Sequence, residues 1–200
     1  MEKLDKYYIK SFDKENATYQ GQAKSLLLVV DEQTKLMATL EEGEETIKNT
    51  LALIKAMKIY GQEIIATEQY PKGLGPSDPR IRKELADDKF IAKTVFDAAR
   101  PEVIDLLEKK EIKKVLLAGA EGHVCVYQTA RSLLAKGFQV FFVEDAIASF
   151  SKEKKTLAAR TLETMGAVRA STETILFDLA YDSKDKNFKQ ISALVKDLRS

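Results

Sequence analysis

"KKVLLAGAEGHVCVYQTARSLLAKGFQVFFVED", residues 113–145, is the stretch whose reading decides the fold. "KKVLLAG" (113–119) is a short aliphatic run closed by glycine, the pattern of a strand buried on both faces. A helical pattern follows from about His123 to Lys136, with Gly137 placed to stop it, and "FQVFFVED" (138–145) reads as the next strand. Strand, helix and strand joined by short turns form a βαβ unit, which demands parallel strands covered by helices.

The same alternation extends in both directions. Upstream, "SLLLVVD" (25–31) reads as a doubly buried strand, and Ile47, Leu51, Ile54 and Met57 recur at helical spacing before Gly61. "EIIATE" (63–68) is a second strand, "QYPKGLGPSDPR" (69–80) a loop holding three of the four prolines, and "FIAKTVF" (90–96) a short strand. Pro101 suits the first turn of a helix running to about Lys110. Downstream come a helix capped by Ser151, a short strand in "AVRAS" (167–171), and two helical stretches over about 171–180 and 185–198. The expected architecture is a three-layer αβα sandwich around a mostly parallel, doubly wound, Rossmann-like sheet. It occupies residues 25–200 as one domain behind a polar N-terminal arm, residues 1–24.

Composition narrows the function classes. With 32 basic against 31 acidic residues, bulk charge offers nothing to nucleic acid or to an anionic membrane. No apolar run approaches the roughly 18–20 residues of a membrane-spanning helix. The charged N-terminus "MEKLDKYYIKSFDKEN" lacks a signal-peptide pattern, so a cytoplasmic location is expected. The single cysteine forms no internal disulfide, and one histidine beside one cysteine is a poor zinc set, so neither metal nor cofactor is expected.

Ligands of parallel sheets bind outside the carboxyl ends of the strands. Asp31, Thr67 with Glu68, and the "GAEGHVC" turn all fall there, and Lys93 lies on a further extended stretch. Cys125 sits in the first turn of its helix, where unpaired backbone N–H groups favour a thiolate and can hold an oxyanion. Its context fits a nucleophile, and it also fits an inert buried thiol. Asp31 is read as its base or as a structural ion-pair partner, with Lys93, flanked by apolar residues, as the natural counter-charge. His123, two residues from Cys125 on a helix, does not face it and is assigned to the turn or the pocket rim.

These stretches resemble the isochorismatase-like cysteine hydrolases, and within them the isochorismatase domain-containing group. The resemblance rests on "LLLVVDEQ", "ATEQYPKGLGP", "AKTVF" and "VLLAGAEGHVCVYQTARSLLAKGFQVFFVEDAIAS" followed by "GAVRASTETILFDL", in order, over roughly residues 24–180. It implies a catalytic triad of Asp31, Lys93 and Cys125, an oxyanion hole from the backbone N–H groups of Glu121 and Cys125, and a cis peptide at Ala120–Glu121. It further implies a metal-independent hydrolase of a small amide or related carbon–nitrogen substrate, working through a thioester-type intermediate as a homo-oligomer, a dimer or larger. Gln33, Glu68, Tyr70, Phe96, His123, Val124 and Tyr127 are the expected substrate-pocket residues. "TEQYPKGLGP" carries no histidine where metal-binding nicotinamidases place theirs. The competing expectation is a non-catalytic ligand-binding or protein-interaction member of the fold, with a redox-sensitive thiol at Cys125.

Overall fold

A computed structural model describes residues 10–13, 18–22 and 24–200, with side chains from residue 24 onward. Of the N-terminal arm, residues 1–9, 14–17 and 23 lie outside the described residues. Within it β1 (Lys10–Asp13) and β2 (Thr18–Gln22) pair antiparallel as a separate two-stranded sheet, which the polar composition did not announce.

The main sheet has six strands: β3 (Ser25–Val30), β4 (Glu63–Gln69), β5 (Phe90–Lys93), β6 (Lys114–Gly119), β7 (Gln139–Ile147) and β8 (Val168–Ala170). Every neighbouring pair is parallel, in the order β5-β4-β3-β6-β7-β8. The winding therefore runs outward from β3 in one direction and from β6 in the other, which is the doubly wound arrangement expected. The topological switch lies between β3 and β6, where diverging connections leave a crevice at the carboxyl ends.

Both faces are covered. Helices α1 (Thr34–Met37), α2 (Gly43–Ile59), α4 (Pro79–Glu84), α8 (Thr172–Ala180) and α9 (Phe188–Arg199) pack on the face presented by Leu27 and Val29. Helices α5 (Pro101–Lys109), α6 (Cys125–Ala135) and α7 (Lys152–Thr164) cover the face presented by Leu26, Leu28 and Val30. All five of these β3 side chains are essentially inaccessible to solvent. Burying each contributes about 1.5–3 kcal/mol, which is why an unbroken aliphatic run is the right sequence for this central strand. None of the described helices is both long and apolar enough to cross a membrane.

Three local expectations change. The stretch read as a loop carries two short helices, α3 (Pro71–Leu74) and α4, each with proline in its first turn, and Asp78 caps α4 by accepting from the Arg80 N–H. Strand β5 stops at Lys93, three residues short of Phe96, because the carbonyls of Val95 and Phe96 turn inward to the Lys93 ammonium. Helix α6 opens at Cys125, not His123, since residues 121–124 form a turn closed by the Val124 N–H on the Glu121 carbonyl.

Candidate active site

Strand alternation would send Asp31 to the face of Leu27 and Val29, away from α6. Its backbone instead adopts a left-handed conformation, φ +52°, rare for a residue with a side chain. The elbow ends β3 and turns the carboxylate to the α6 face, while the next residue, Glu32, takes the opposite face and meets Thr50 of α2. Two main-chain bonds hold it: the Asp31 N–H donates to the Thr67 carbonyl at 3.1 Å, and the Gln33 N–H to the Asp31 carbonyl at 2.8 Å.

On that face Asp31 is completely buried and fully engaged. The Lys93 ammonium donates to Oδ2 at 2.6 Å and the Thr67 hydroxyl to Oδ1 at 2.7 Å. Lys93 is itself buried and also donates to Gln69 Oε1 at 2.8 Å and the Phe96 carbonyl at 3.0 Å, with the Val95 carbonyl at 3.3 Å. Three ammonium protons thus serve four acceptors, and the longest contact is shared. The Cys125 thiol lies near enough to Asp31 for each group to bear on the other's protonation.

Cys125 reaches this position through a turn the sequence shapes closely. Gly119 has φ +113° and passes so near β3 that a Cβ there would lie 2.0 Å from the Val30 carbonyl oxygen. The next residue donates its N–H to that oxygen at 2.7 Å, and the Ala120–Glu121 peptide is cis, as the resemblance implied. The Glu121 main chain lies near enough to the Cys125 sulfur to favour its charged form, and the Cys125 N–H opens α6, where helical N–H groups have no intrahelical acceptor.

Electrostatics reverse one expectation. A helix N-terminus favours thiolate, yet burial, reinforced by the charge of Asp31, pushes the Cys125 thiol up to about 12 against the opposing pull of Lys93. Burial also raises Asp31 above the usual carboxylate range, while Lys93, Thr67 and the thiol pull it back. The resting pair is a neutral thiol beside a carboxylate of increased basicity.

The expected pocket residues separate. Gln33 is fully buried, and its amide bonds to the main chain of Gln69 and Gly75, so it braces the 69–75 segment and offers a ligand no surface. Glu68 points to the opposite face from Thr67, as strand alternation requires, and binds the Ser77 N–H and Arg82. Tyr70 lines a cavity of about 400 Å³ that also borders Lys93, Val95 and Arg100. Phe96 is half exposed, and its carbonyl serves Lys93. Val124 packs against the core on the Cys125 side, immediately before α6. His123, 3.3 Å from the Ser149 hydroxyl, joins Tyr127 and Leu157 around a separate cavity of about 350 Å³. Among the described residues no group of three or more His, Cys, Asp or Glu side chains is arranged to hold a metal ion.

Sequence reading noted Thr67 at a strand end without a role, and missed Gln69 and Glu32. Period-two alternation from the buried Ile65 would have placed Thr67 and Gln69 on one face; nothing local announces the turn at Asp31 that separates it from Glu32.

Residues 25–174 match the family model described as the isochorismatase domain. This chain belongs to the isochorismatase family. Isochorismatase family protein 1A of Dictyostelium discoideum is 33% identical over 180 residues, covering 88% of this chain and 87% of its own. Among solved structures, the MAR1 ribonuclease of Caenorhabditis elegans superposes with a TM-score of 0.83 at 34% identity, covering 88% of this chain and 92% of its own. The Escherichia coli YcaC gene product, described as an octameric hydrolase of unknown specificity, has a TM-score of 0.81 at 24% identity, covering 88% and 90%, a likeness of fold. The isochorismatase domain thus spans the crevice that holds Asp31, Lys93 and Cys125.

Proposed function

We propose that the chain is a cysteine hydrolase of a small amide or related carbon–nitrogen substrate, with Cys125 as nucleophile, Asp31 as proton acceptor and Lys93 as the cation that keeps Asp31 ionised. The observation that carries this reading is a single buried carboxylate bonded to a buried ammonium at 2.6 Å and lying near enough to the only thiol of the chain for its charge to shift that thiol's protonation. A thiol near 12 is not preformed thiolate, so Asp31 takes its proton as the sulfur bonds to the carbonyl carbon. The carbonyl oxygen becomes an oxyanion held by the N–H groups of Glu121 and Cys125. Its collapse breaks the carbon–nitrogen bond, the amine leaves with the proton held by Asp31, and a thioester remains. Water then attacks the thioester, gives a proton to Asp31, and releases the acid as sulfur recovers that proton.

Cys125→Ala is expected to abolish turnover in a panel of small amides, and full activity in that variant would refute the mechanism. RNA belongs in the same panel because of the C. elegans relative. The competing reading, an inert thiol in a binding protein, draws support from the burial and high pKa of Cys125. Alkylation separates the two. As a nucleophile Cys125 reacts readily near neutral pH and far more slowly in Asp31→Asn, whereas an inert thiol resists in both.

We also propose a homo-oligomer, because Tyr70, Val95 and Phe96 beside the site, and Phe150 and Leu157 beyond it, leave large apolar side chains exposed. Light scattering that gives the mass of a monomer would refute this.

A further inference from the structure

Glu32 is a wholly buried carboxylate beside the site that the mechanism leaves unused and that, unlike Glu68 and Asp78, has no cation paired with it among the described residues. It is wholly inaccessible to solvent, and among the described residues its side chain has a single hydrogen-bond partner, the Thr50 hydroxyl of α2, which donates to Oε1 at 2.6 Å. Its second oxygen, Oε2, has no hydrogen-bond partner. The main chain of the same residue ties in the 76–78 turn: the Asp78 N–H donates to the Glu32 carbonyl at 2.8 Å, and Gln33 bridges Ser77. Glu32 therefore joins α2, the 76–78 turn and the end of β3 at the residue next to the left-handed elbow of Asp31.

We propose that Glu32, held as the neutral acid, is a positioning residue for Asp31, and that its ionisation releases the elbow and switches the site off. The inference rests on the reading of Cys125 as nucleophile and Asp31 as its base. A buried carboxylate with one neutral donor and one bare oxygen is unstable as an anion, so the group stays protonated until solution pH forces the charge. Burial pushes it up to about 8; the Thr50 hydrogen bond opposes this, Asp78 adds to it, and Arg80 opposes it.

Asp78 and Arg80 are the charged groups that act on Glu32 from α4 and its cap. Arg80 is already paired with Asp78 and with Glu44 of α2, so it is not a free counter-ion. Glu68 and Arg82 pair with each other at the Ser77 N–H, and Asp31 with Lys93 on the other face. An ionised Glu32 has no unengaged cation among these groups. Relief comes by moving toward water or Arg80, which breaks the Thr50 bond and draws on the elbow.

The test uses iodoacetamide on the intact protein, with the extent of modification read by mass; the chain has one cysteine, so each added group reports Cys125. In the wild type the rate is expected to rise with pH and then bend downward near pH 8. In Glu32→Gln it rises through that region without the bend. One unit above its pKa only about a tenth of a group remains protonated, so near pH 9 the variant is expected to react about tenfold faster than the wild type. Thr50→Val removes a bond that holds the Glu32 pKa down, so its bend moves to higher pH, a shift that a purely structural role for Glu32 does not produce. Superimposable profiles for wild type and Glu32→Gln, or a bend that persists in Glu32→Gln, overturn the positioning role and leave the nucleophile reading standing. Absence of alkylation at every pH in the wild type overturns both.

Discussion

Replacing Lys93 by Met tests the centre of the site, because it removes the cation while keeping most of the side-chain volume. The side chains of Lys93 and Asp31 are 1% and 0% exposed, so water cannot take the place of the lost ammonium. Removing one member of a buried ion pair typically costs about 3–5 kcal/mol, most of it the penalty of the charge left behind. Against a typical domain stability of about 5–15 kcal/mol, this is a large fraction. The loss should depend on pH. Without Lys93 the raised pKa of Asp31 rises further, because the cation is what opposes burial most strongly. The folded state then holds a proton that the unfolded chain releases. The added destabilisation relative to the wild type is therefore small where Asp31 is protonated in both folded proteins, grows by up to about 1.4 kcal/mol per pH unit between the wild-type and the higher variant folded-state pKa, and levels off above the latter. Urea unfolding of wild type, Lys93→Met, Asp31→Asn and the double variant, at pH 5 and pH 8, measures both effects. The double variant should be less destabilised than the two single losses added together. A Lys93→Met cost below about 1 kcal/mol at pH 8, or additive single losses, would mean that the pair is solvated and that this account of the site is wrong.

Two further outcomes follow from the same geometry. Thr67→Val, nearly isosteric, deletes the 2.7 Å bond to Asp31 Oδ1; the expected loss is about 1–2 kcal/mol in chemical denaturation, with a further rise in the Asp31 pKa and hence an acid limb of activity moved to higher pH. An acid limb at the same pH as in the wild type would contradict it. Gly119→Ala places a Cβ 2.0 Å from the Val30 carbonyl oxygen at φ +113°, so a drop in thermal midpoint is expected together with slowed Cys125 alkylation. A wild-type melt would show that the β3–β6 crossing is looser than described.

Much of the fold was legible because burial on both faces of a parallel strand leaves an aliphatic run such as "LLLVV", and helices between such runs leave a period near 3.6. Helix ends followed capping chemistry, with Ser151 accepting from the Lys154 N–H as expected. Chain ends of strands were less legible. The termination of β5 depends on carbonyls turning to an ammonium, and neither partner signals the other along the chain. In the site, Asp31, Lys93 and Cys125 stood out as polar groups at predicted strand ends or helix starts, and the resemblance put them together. The pocket residues fared differently. Gln33 and Glu68 look alike in sequence, polar groups beside a strand end, but the structure binds both into braces.

What the sequence determined by itself is therefore periodic and local: the alternation of elements, the parallel sheet, and the family. What only the tertiary structure decided is which side chains share a face and what charge they carry there. The left-handed turn at Asp31 sends neighbouring carboxylates to opposite sides of the sheet, one to an ammonium and a thiol, the other to a lone hydroxyl. The physical reason is that protonation and reactivity depend on desolvation and on partners far apart in the chain, and the sheet creates both at once.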